Sequence, residues 1–288
     1  MKTLCLYASY LDGIGLPYYS NVYLKELKKH FTDIIYLHSN NLDTDSISFF
    51  ETNSIESKLV SNDGFDFGQW QKVLVNINLN EYDQLCLVND SCVLFAPLDN
   101  ALNWFNNSDN DFGGITVSLT PKKHVQSYFL VFKKSTFIDL LHFFKTNSAS
   151  NNIHQVIADF EIGLSQYLIS KNYSCGPFLS NDGYAGEFAP YYKCLESHIK
   201  QGSPVIKKKV LFSSYRKGEQ FTLARMNFNI NADHYIDIIK ELTKELLIDF
   251  EKAKLNQSIG MSTFDKFVYN IKRLTIINYR KMKGNRYE

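Results

Sequence analysis

The sequence predicts an α/β fold: a mostly parallel sheet flanked by helices, followed by a C-terminal helical extension. Three observations carry that expectation. Residues 3–9, 17–31 and 34–37 read as strand, helix and strand, an order that implies a right-handed crossover between neighbouring parallel strands. Leu85, Cys86, Leu87 and Val88 form an unbroken apolar run, the pattern of a parallel strand covered on both faces. From about Asp233 the spacing becomes that of amphipathic helices, with Tyr235, Ile239, Leu242, Leu246 and Phe250 on one stripe. A chain of 288 residues can bury a large core. The expected units are 1–212 and the extension 213–288.

Taken in order, strand one ends at Ala8-Ser9-Tyr10, and Asp12, Gly13, Gly15 and Pro17 supply turn chemistry before the first helix. No G-x-G-x-x-G follows that strand, so a dinucleotide fingerprint is absent. Helix 17–31 places Tyr19, Tyr23, Leu27, His30 and Phe31 on one face. Strand two closes on His38-Ser39-Asn40-Asn41, and a short helix (46–52) and a third strand (57–60) follow. Asn62-Asp63-Gly64 is a turn signal, and a helix begins at about Phe67. Asp66 then lies near a helix N-terminus, either as a cap or as a ligand for a ribose or sugar hydroxyl.

The apolar run 85–88 stops on Asn89-Asp90-Ser91, at the strand end where open α/β sheets bind ligands. A carboxylate there can hold a divalent cation, and the cation a diphosphate; equally, Asp90 can cap the turn that follows. Next come a helix (97–105), a return to the sheet (111–116), a strand (124–132) with polar residues at its entry, a helix (135–145) and a loop (146–152). Residues 159–168 read as a helix with Asp159 and Glu161 in its first turn. Two acids there either complement the helix dipole or aim a general base into a cleft. Gly202 and Pro204 open the segment 205–212, whose lysines meet a phosphate or are simply solvated. A last helix from about Thr263 ends in Lys272, Arg273, Arg280, Lys281, Lys283 and Arg286, a face that either packs and is solvated or leans on anionic lipid.

Composition narrows the function classes. Lys+Arg 31 against Asp+Glu 30 gives no electrostatic preference, so a nucleic-acid partner is not expected. The five cysteines are scattered with no C-x-x-C pair, which argues against a disulfide framework or zinc site and for a reducing compartment. No apolar run approaches the roughly 18 residues of a spanning helix, and residues 1–8 read as a strand, too short for a signal peptide. The expected location is cytoplasmic, with peripheral contact at the inner face of the cell membrane through the basic C-terminal helix as the sharper reading of that tail.

Several segments together then resemble a known family. They are Gly64-Phe65-Asp66-Phe67-Gly68 with Trp70, Tyr82-Asp83 through Asn89-Asp90-Ser91, Asp111-Phe112-Gly113-Gly114-Ile115-Thr116, His124-Val125-Gln126-Ser127-Tyr128-Phe129, Glu161-Ile162-Gly163-Leu164-Ser165 and Gly202-Ser203-Pro204. The series, over residues 3–212, is similar to the rhamnan synthesis F family of bacterial polysaccharide glycosyltransferases. Departures from its pattern are Leu94-Phe95-Ala96-Pro97, where the family commonly has Gly-Pro, and Gly113, where it usually has Trp; both are expected to line the cleft.

The resemblance implies a GT-A-like (Rossmann-like) transferase with a nucleotide-diphosphate sugar donor, dTDP-rhamnose being the one suggested, and a glycan or lipid-linked glycan acceptor. It assigns Glu161 as catalytic base, with Asp159 behind it, and a divalent cation (Mn2+ or Mg2+) to Asp90, though with one carboxylate where such motifs have two. Ala8, Ser9, Ser39, Asn40 and Asp66 are expected around the nucleotide beside Asn89, Asp90 and Ser91. His124, Gln126 and Tyr128 are expected to face sugar or acceptor, with a core or capping role as the alternative for His124. Lys122, Lys123 and Arg216 are the expected cations for the leaving diphosphate. A non-catalytic partner in a polysaccharide-assembly complex is the rival reading.

Overall fold

The computed structural model describes residues 1–10, 15–181, 183, 194–208 and 210. Its first half repeats strand and helix: β1 (Thr3–Ser9), α1 (Tyr18–Leu27), β2 (Asp33–His38), α2 (Thr44–Thr52), β3 (Glu56–Leu59), α3 (Phe65–Leu74) and β4 (Gln84–Asn89). α1 is shorter than the apolar spacing suggests. It ends at Leu27, and residues 28–32 form the turn into β2. α2 starts earlier than expected because Asp43 caps it, accepting from the Ser46 amide at 2.9 Å. α3 begins after Gly64, whose φ of +80° suits glycine. Gly68 admits no side chain, since a Cβ there would lie 1.9 Å from the Asp63 carbonyl oxygen.

Further along lie β5 (Cys92–Leu94), α4 (Asp99–Asn107), β6 (Phe112–Gly114), β7 (Val117–Ser118), β8 (His124–Val125), β9 (Phe129–Lys133) and α5 (Phe137–Thr146). Helix α6 (Ile153–Val156) runs through a π-helical stretch (Ile157–Ile162) into α7 (Gly163–Ser170), followed by β10 (Cys175–Pro177), α8 (Leu195–Lys200) and β11 (Val205–Lys207). Two expectations are corrected here. The strand expected over 124–132 is two: His124–Val125 pairs with β7, and Phe129–Lys133 enters the main sheet. Polar Gln126 and Ser127 mark the crossing between them. The helix expected to begin at 159 begins at Ile153, where the Asn152 side chain accepts from the His154 and Gln155 amides. Asp159 and Glu161 therefore lie beyond the first turn, and dipole complementation does not explain them.

The central sheet has seven strands in the order β10-β6-β9-β4-β1-β2-β3. β9 runs antiparallel to β4 and β6, and the remaining pairs are parallel. This is the mostly parallel sheet flanked by helices that the sequence predicts. Alternation along the strands builds two cores. Leu4, Leu6, Leu85 and Leu87 face a layer with Trp70, Phe143, Phe144 and Phe160. Cys5, Tyr7, Cys86 and Val88 face a second layer with Tyr23, Leu24, Leu27 and Phe105. All five cysteines are buried and none is in a disulfide.

Among the described residues no helix is long and apolar enough to cross a membrane. The expected C-terminal extension 213–288, with Arg216 and the basic tail, lies outside the described residues.

Candidate functional site

From β1 the chain moves outward to β2 and β3 on one side, whereas β4 lies on the other. Neighbouring connections thus diverge between β1 and β4, and a crevice opens at their carboxyl ends, where ligands bind in sheets of this kind. Ala8 pairs with Asn89 in register, and the Asp90 amide donates to the Ala8 carbonyl at 3.1 Å. Ser9 and the Asn89-Asp90-Ser91 cluster therefore meet at the predicted strand edge.

Strand alternation decides where each side chain goes. Residues 5, 7 and 9 of β1, 86 and 88 of β4 and Asp90 just past its end share the α1 face. On that face the Ser9 hydroxyl donates to Asp90 Oδ2 at 3.2 Å. The Lys208 ammonium stands 3.5 Å from the same oxygen, donates to the Tyr19 hydroxyl at 3.0 Å and lies 4.5 Å over the Tyr19 ring. Burial by itself would lower the Lys208 pKa; Asp90 and Tyr19 outweigh it and hold the group above its ordinary value.

Asn89 turns to the α3 face. Its amide donates to Asp66 Oδ2, and its Oδ1 accepts from both the amide and the hydroxyl of Ser91. The other Asp66 oxygen accepts from the Phe67 amide at 3.0 Å. Burial pushes the Asp66 carboxyl up to about 6; the Asn89 hydrogen bond opposes the shift and the nearby Glu161 adds to it. Gly64, not Asp66, occupies the cap position of α3.

Glu161 joins from the π-helical stretch, with Oε1 accepting from the Ser127 amide at 3.0 Å. π-turns inside helices recur at functional sites. Asp159 is exposed, because two helical residues apart point to nearly opposite sides. Only Glu161 of the expected pair reaches the cluster. Between the two faces the Lys207 ammonium donates to Ser91 Oγ at 2.8 Å and lies 4.5 Å over the Tyr128 ring.

Other expected residues are placed differently. His124, Gln126 and Tyr128 are buried. His124 Nδ1 pairs with the Lys122 carbonyl at 2.7 Å, and the Thr116 hydroxyl lies 2.6 Å from both Gln126 Oε1 and the Tyr128 hydroxyl. These contacts tie polar atoms of the three into the 116–128 segment, and the Tyr128 ring also meets Lys207. Lys123 donates to the Cys175 carbonyl at 3.0 Å, and Lys122 is exposed. Neither stands in place of Lys207 and Lys208, for which the signal was the lysine run 207–209, read there as either phosphate-binding or solvated. Ser39 follows β2 beside the Ser9 edge, its hydroxyl buried without a protein partner, and the Asn40 carbonyl pairs with His38 Nδ1 at 2.6 Å.

Gly113 is also not a cleft residue. A Cβ there would lie 2.6 Å from the Gly176 carbonyl oxygen and 3.4 Å from the Phe105 ring, inside the packed layers. Leu94 belongs to the β5–β11 pair, and the Phe95 amide donates to Pro204. Both departures from the family pattern are matters of packing, which corrects the expectation that they line the cleft.

A partly buried carboxyl with a raised pKa has a stability signature. The folded state holds the Asp66 proton more tightly than the unfolded chain, whose value is near 4. Stability contributed by that proton is complete at low pH and is lost as pH rises through about 6. Urea unfolding of wild type and Asp66→Asn across this window should give a difference that favours the variant progressively with pH. Parallel curves would contradict the assignment.

The family model for rhamnan synthesis protein F matches residues 49–273. It starts later than the resemblance in the sequence and continues across the expected boundary at 212. No curated protein matches this chain in sequence. Solved structures resemble it distantly. The glycosyltransferase GlyE of Streptococcus pneumoniae is 10% identical over 93% of this chain and 64% of that one, with a TM-score of 0.46. A protein described as a glucose-1-phosphate thymidylyltransferase of Bacillus anthracis is 9% identical over 61% and 86%, with a TM-score of 0.43. TarS of S. aureus is 11% identical over 97% and 54%, with a TM-score of 0.38. At such scores the likeness says nothing about chemistry.

Proposed function

We propose, for a chain that belongs to the rhamnan synthesis protein F family, that it transfers a sugar from a nucleotide-diphosphate donor to a hydroxyl of a growing glycan or lipid-linked glycan. Rhamnose is the sugar that the family name suggests, and inversion at the anomeric carbon is the stereochemistry that a single general base suits. The observation that carries the reading is the meeting of Ser9, Asp66, Asn89, Asp90 and Glu161 at the diverging ends of β1 and β4.

In this reading the nucleoside lies over the ends of β1 and β2, near Ser9 and Ser39, with its diphosphate toward Asn89-Asp90-Ser91. The sugar extends to the α3 face, where Asp66 and Glu161 stand. An acceptor hydroxyl must lose its proton as its oxygen attacks the anomeric carbon. Glu161 takes that proton. The Ser127 amide fixes one of its carboxylate oxygens, so the base is oriented before the acceptor arrives.

A thermal-shift panel of nucleotide sugars tests the donor class. Only a ligand of the folded state stabilises it by mass action, by about 2.7 kcal/mol at 100 times its dissociation constant. That gain raises the midpoint by several degrees in a chain of this size. At least one of dTDP-rhamnose, UDP-glucose and GDP-mannose should do so. A folded protein indifferent to all three would end the donor reading and favour the non-catalytic alternative.

A further inference from the structure

We propose that the leaving diphosphate is received by Lys207 and Lys208, and that this ammonium pair takes the place a divalent cation would otherwise fill at Asp90. The inference rests on the donor reading above and adds to it the groups that accept the departing charge.

The donor set does not suit a divalent cation. Hard divalent cations collect six or more oxygens, several of them carboxylate or water. Here Asp90 is the acid on its face of the strand ends, and its Oδ2 already meets the Ser9 hydroxyl at 3.2 Å and the Lys208 ammonium at 3.5 Å. A cation on that oxygen would sit against a positive charge in a partly enclosed site, where like charges repel strongly. Asp66, the next carboxylate, has both oxygens committed, one to the Asn89 amide and one to the Phe67 backbone. Among the described residues, the group with spacing suited to a metal is Glu26, His30 and Asp99, and there Lys29 pairs with Glu26 at 2.7 Å.

The lysines, by contrast, are built in. β11 pairs antiparallel with β5, putting Lys207 opposite Cys92, and the Lys208 amide donates to the Ser91 carbonyl at 2.8 Å. Backbone bonds thus fix the register of both lysines against the Asn89-Asp90-Ser91 turn. Each ammonium lies 4.5 Å from an aromatic ring, Lys207 over Tyr128 and Lys208 over Tyr19, which limits where the long side chains can go. Two ammonium groups held at one strand edge form a preorganised receptor for an oxyanion.

The step balances without another reactant. The acceptor oxygen forms a bond to the anomeric carbon as the bond from that carbon to the β-phosphate oxygen breaks. The bonding pair stays on the phosphate oxygen, the acceptor proton passes to Glu161, and the added negative charge is met by N–H groups of Lys207 and Lys208.

Titration of dTDP, UDP and GDP, each beside its nucleoside, tests the pair in the full chain. Wild type treated with EDTA should bind the preferred diphosphate and turn over its sugar as well as untreated enzyme. Lys207→Gln and Lys208→Gln should each lose about 10- to 100-fold in diphosphate affinity, the loss of a hydrogen bond to a charged group, with nucleoside affinity unchanged. A merely structural role would lower both. Because Lys208→Gln leaves Asp90 unpaired, the double variant Lys208→Met with Asp90→Asn repeats the measurement without a stranded charge. Wild-type turnover abolished by EDTA and restored by Mn2+ or Mg2+ would overturn the proposal, as would variants that keep the wild-type ratio of diphosphate to nucleoside affinity. If none of the diphosphates binds wild type, the donor reading has failed and this one with it.

Discussion

Replacing Glu161 with Gln is expected to lower turnover by about 100- to 10,000-fold, the usual contribution of a positioned general base, while nucleotide affinity stays within about twofold of wild type. Gln keeps the size of Glu and retains an oxygen for the Ser127 amide, which donates to Glu161 Oε1 at 3.0 Å. Local geometry therefore survives, and what disappears is the ability to take a proton. The measurement is kcat for sugar transfer in parallel with diphosphate titration. Wild-type turnover would remove Glu161 from the mechanism. Asp159→Asn supplies the contrast: Asp159 is exposed and sits outside the cluster, so its turnover should be unaffected.

Phe160→Ala is expected to cost about 3–5 kcal/mol of stability. Its ring is 1% exposed and packs against Phe67 at 5.5 Å, Phe143 at 5.6 Å and Phe144 at 6.2 Å between centroids. Truncation leaves a cavity bounded by three helices that cannot all close on it at once, so both the transfer term and the cavity term apply. Urea unfolding should show a lower midpoint at nearly unchanged slope. A loss below about 1 kcal/mol would mean that the neighbouring helices relax into the gap. The same residue anchors the turn that carries Glu161, so the surviving folded fraction should also turn over more slowly.

The two variants separate neighbouring roles on one helix. Phe160 faces the core and fixes the helix; Glu161, one residue on, faces the strand ends. A π-turn widens the helix there and sets where the carboxylate emerges, a feature that apolar spacing alone does not reveal.

Much of the fold was legible in the chain because it rests on short-range pattern. The run from Leu85 to Val88, the alternation in β1 and the glycine at position 64 each express a local requirement of strand, pleat or turn. The polar cluster Asn89-Asp90-Ser91 was legible for the same reason: an apolar strand that stops abruptly on acid and amide side chains marks its own end. Glu161 emerged from a motif, whereas its surroundings did not. Ser127 supplies a backbone amide, and backbone donors carry no residue-type signal.

By itself, then, the sequence determined the α/β class, the strand that ends at Asn89 and the acids available at that end. Tertiary structure alone decided which of them share a site. Asn89 turns to Asp66 and Asp90 to Ser9 because successive side chains leave a strand on opposite faces, and the neighbours waiting there are set by helices packed from elsewhere. Lys207 and Lys208 reach the cluster through a strand pairing more than a hundred positions distant in the chain. No local spacing encodes such a contact, since it forms only when the sheet and the separate β5–β11 pair have closed.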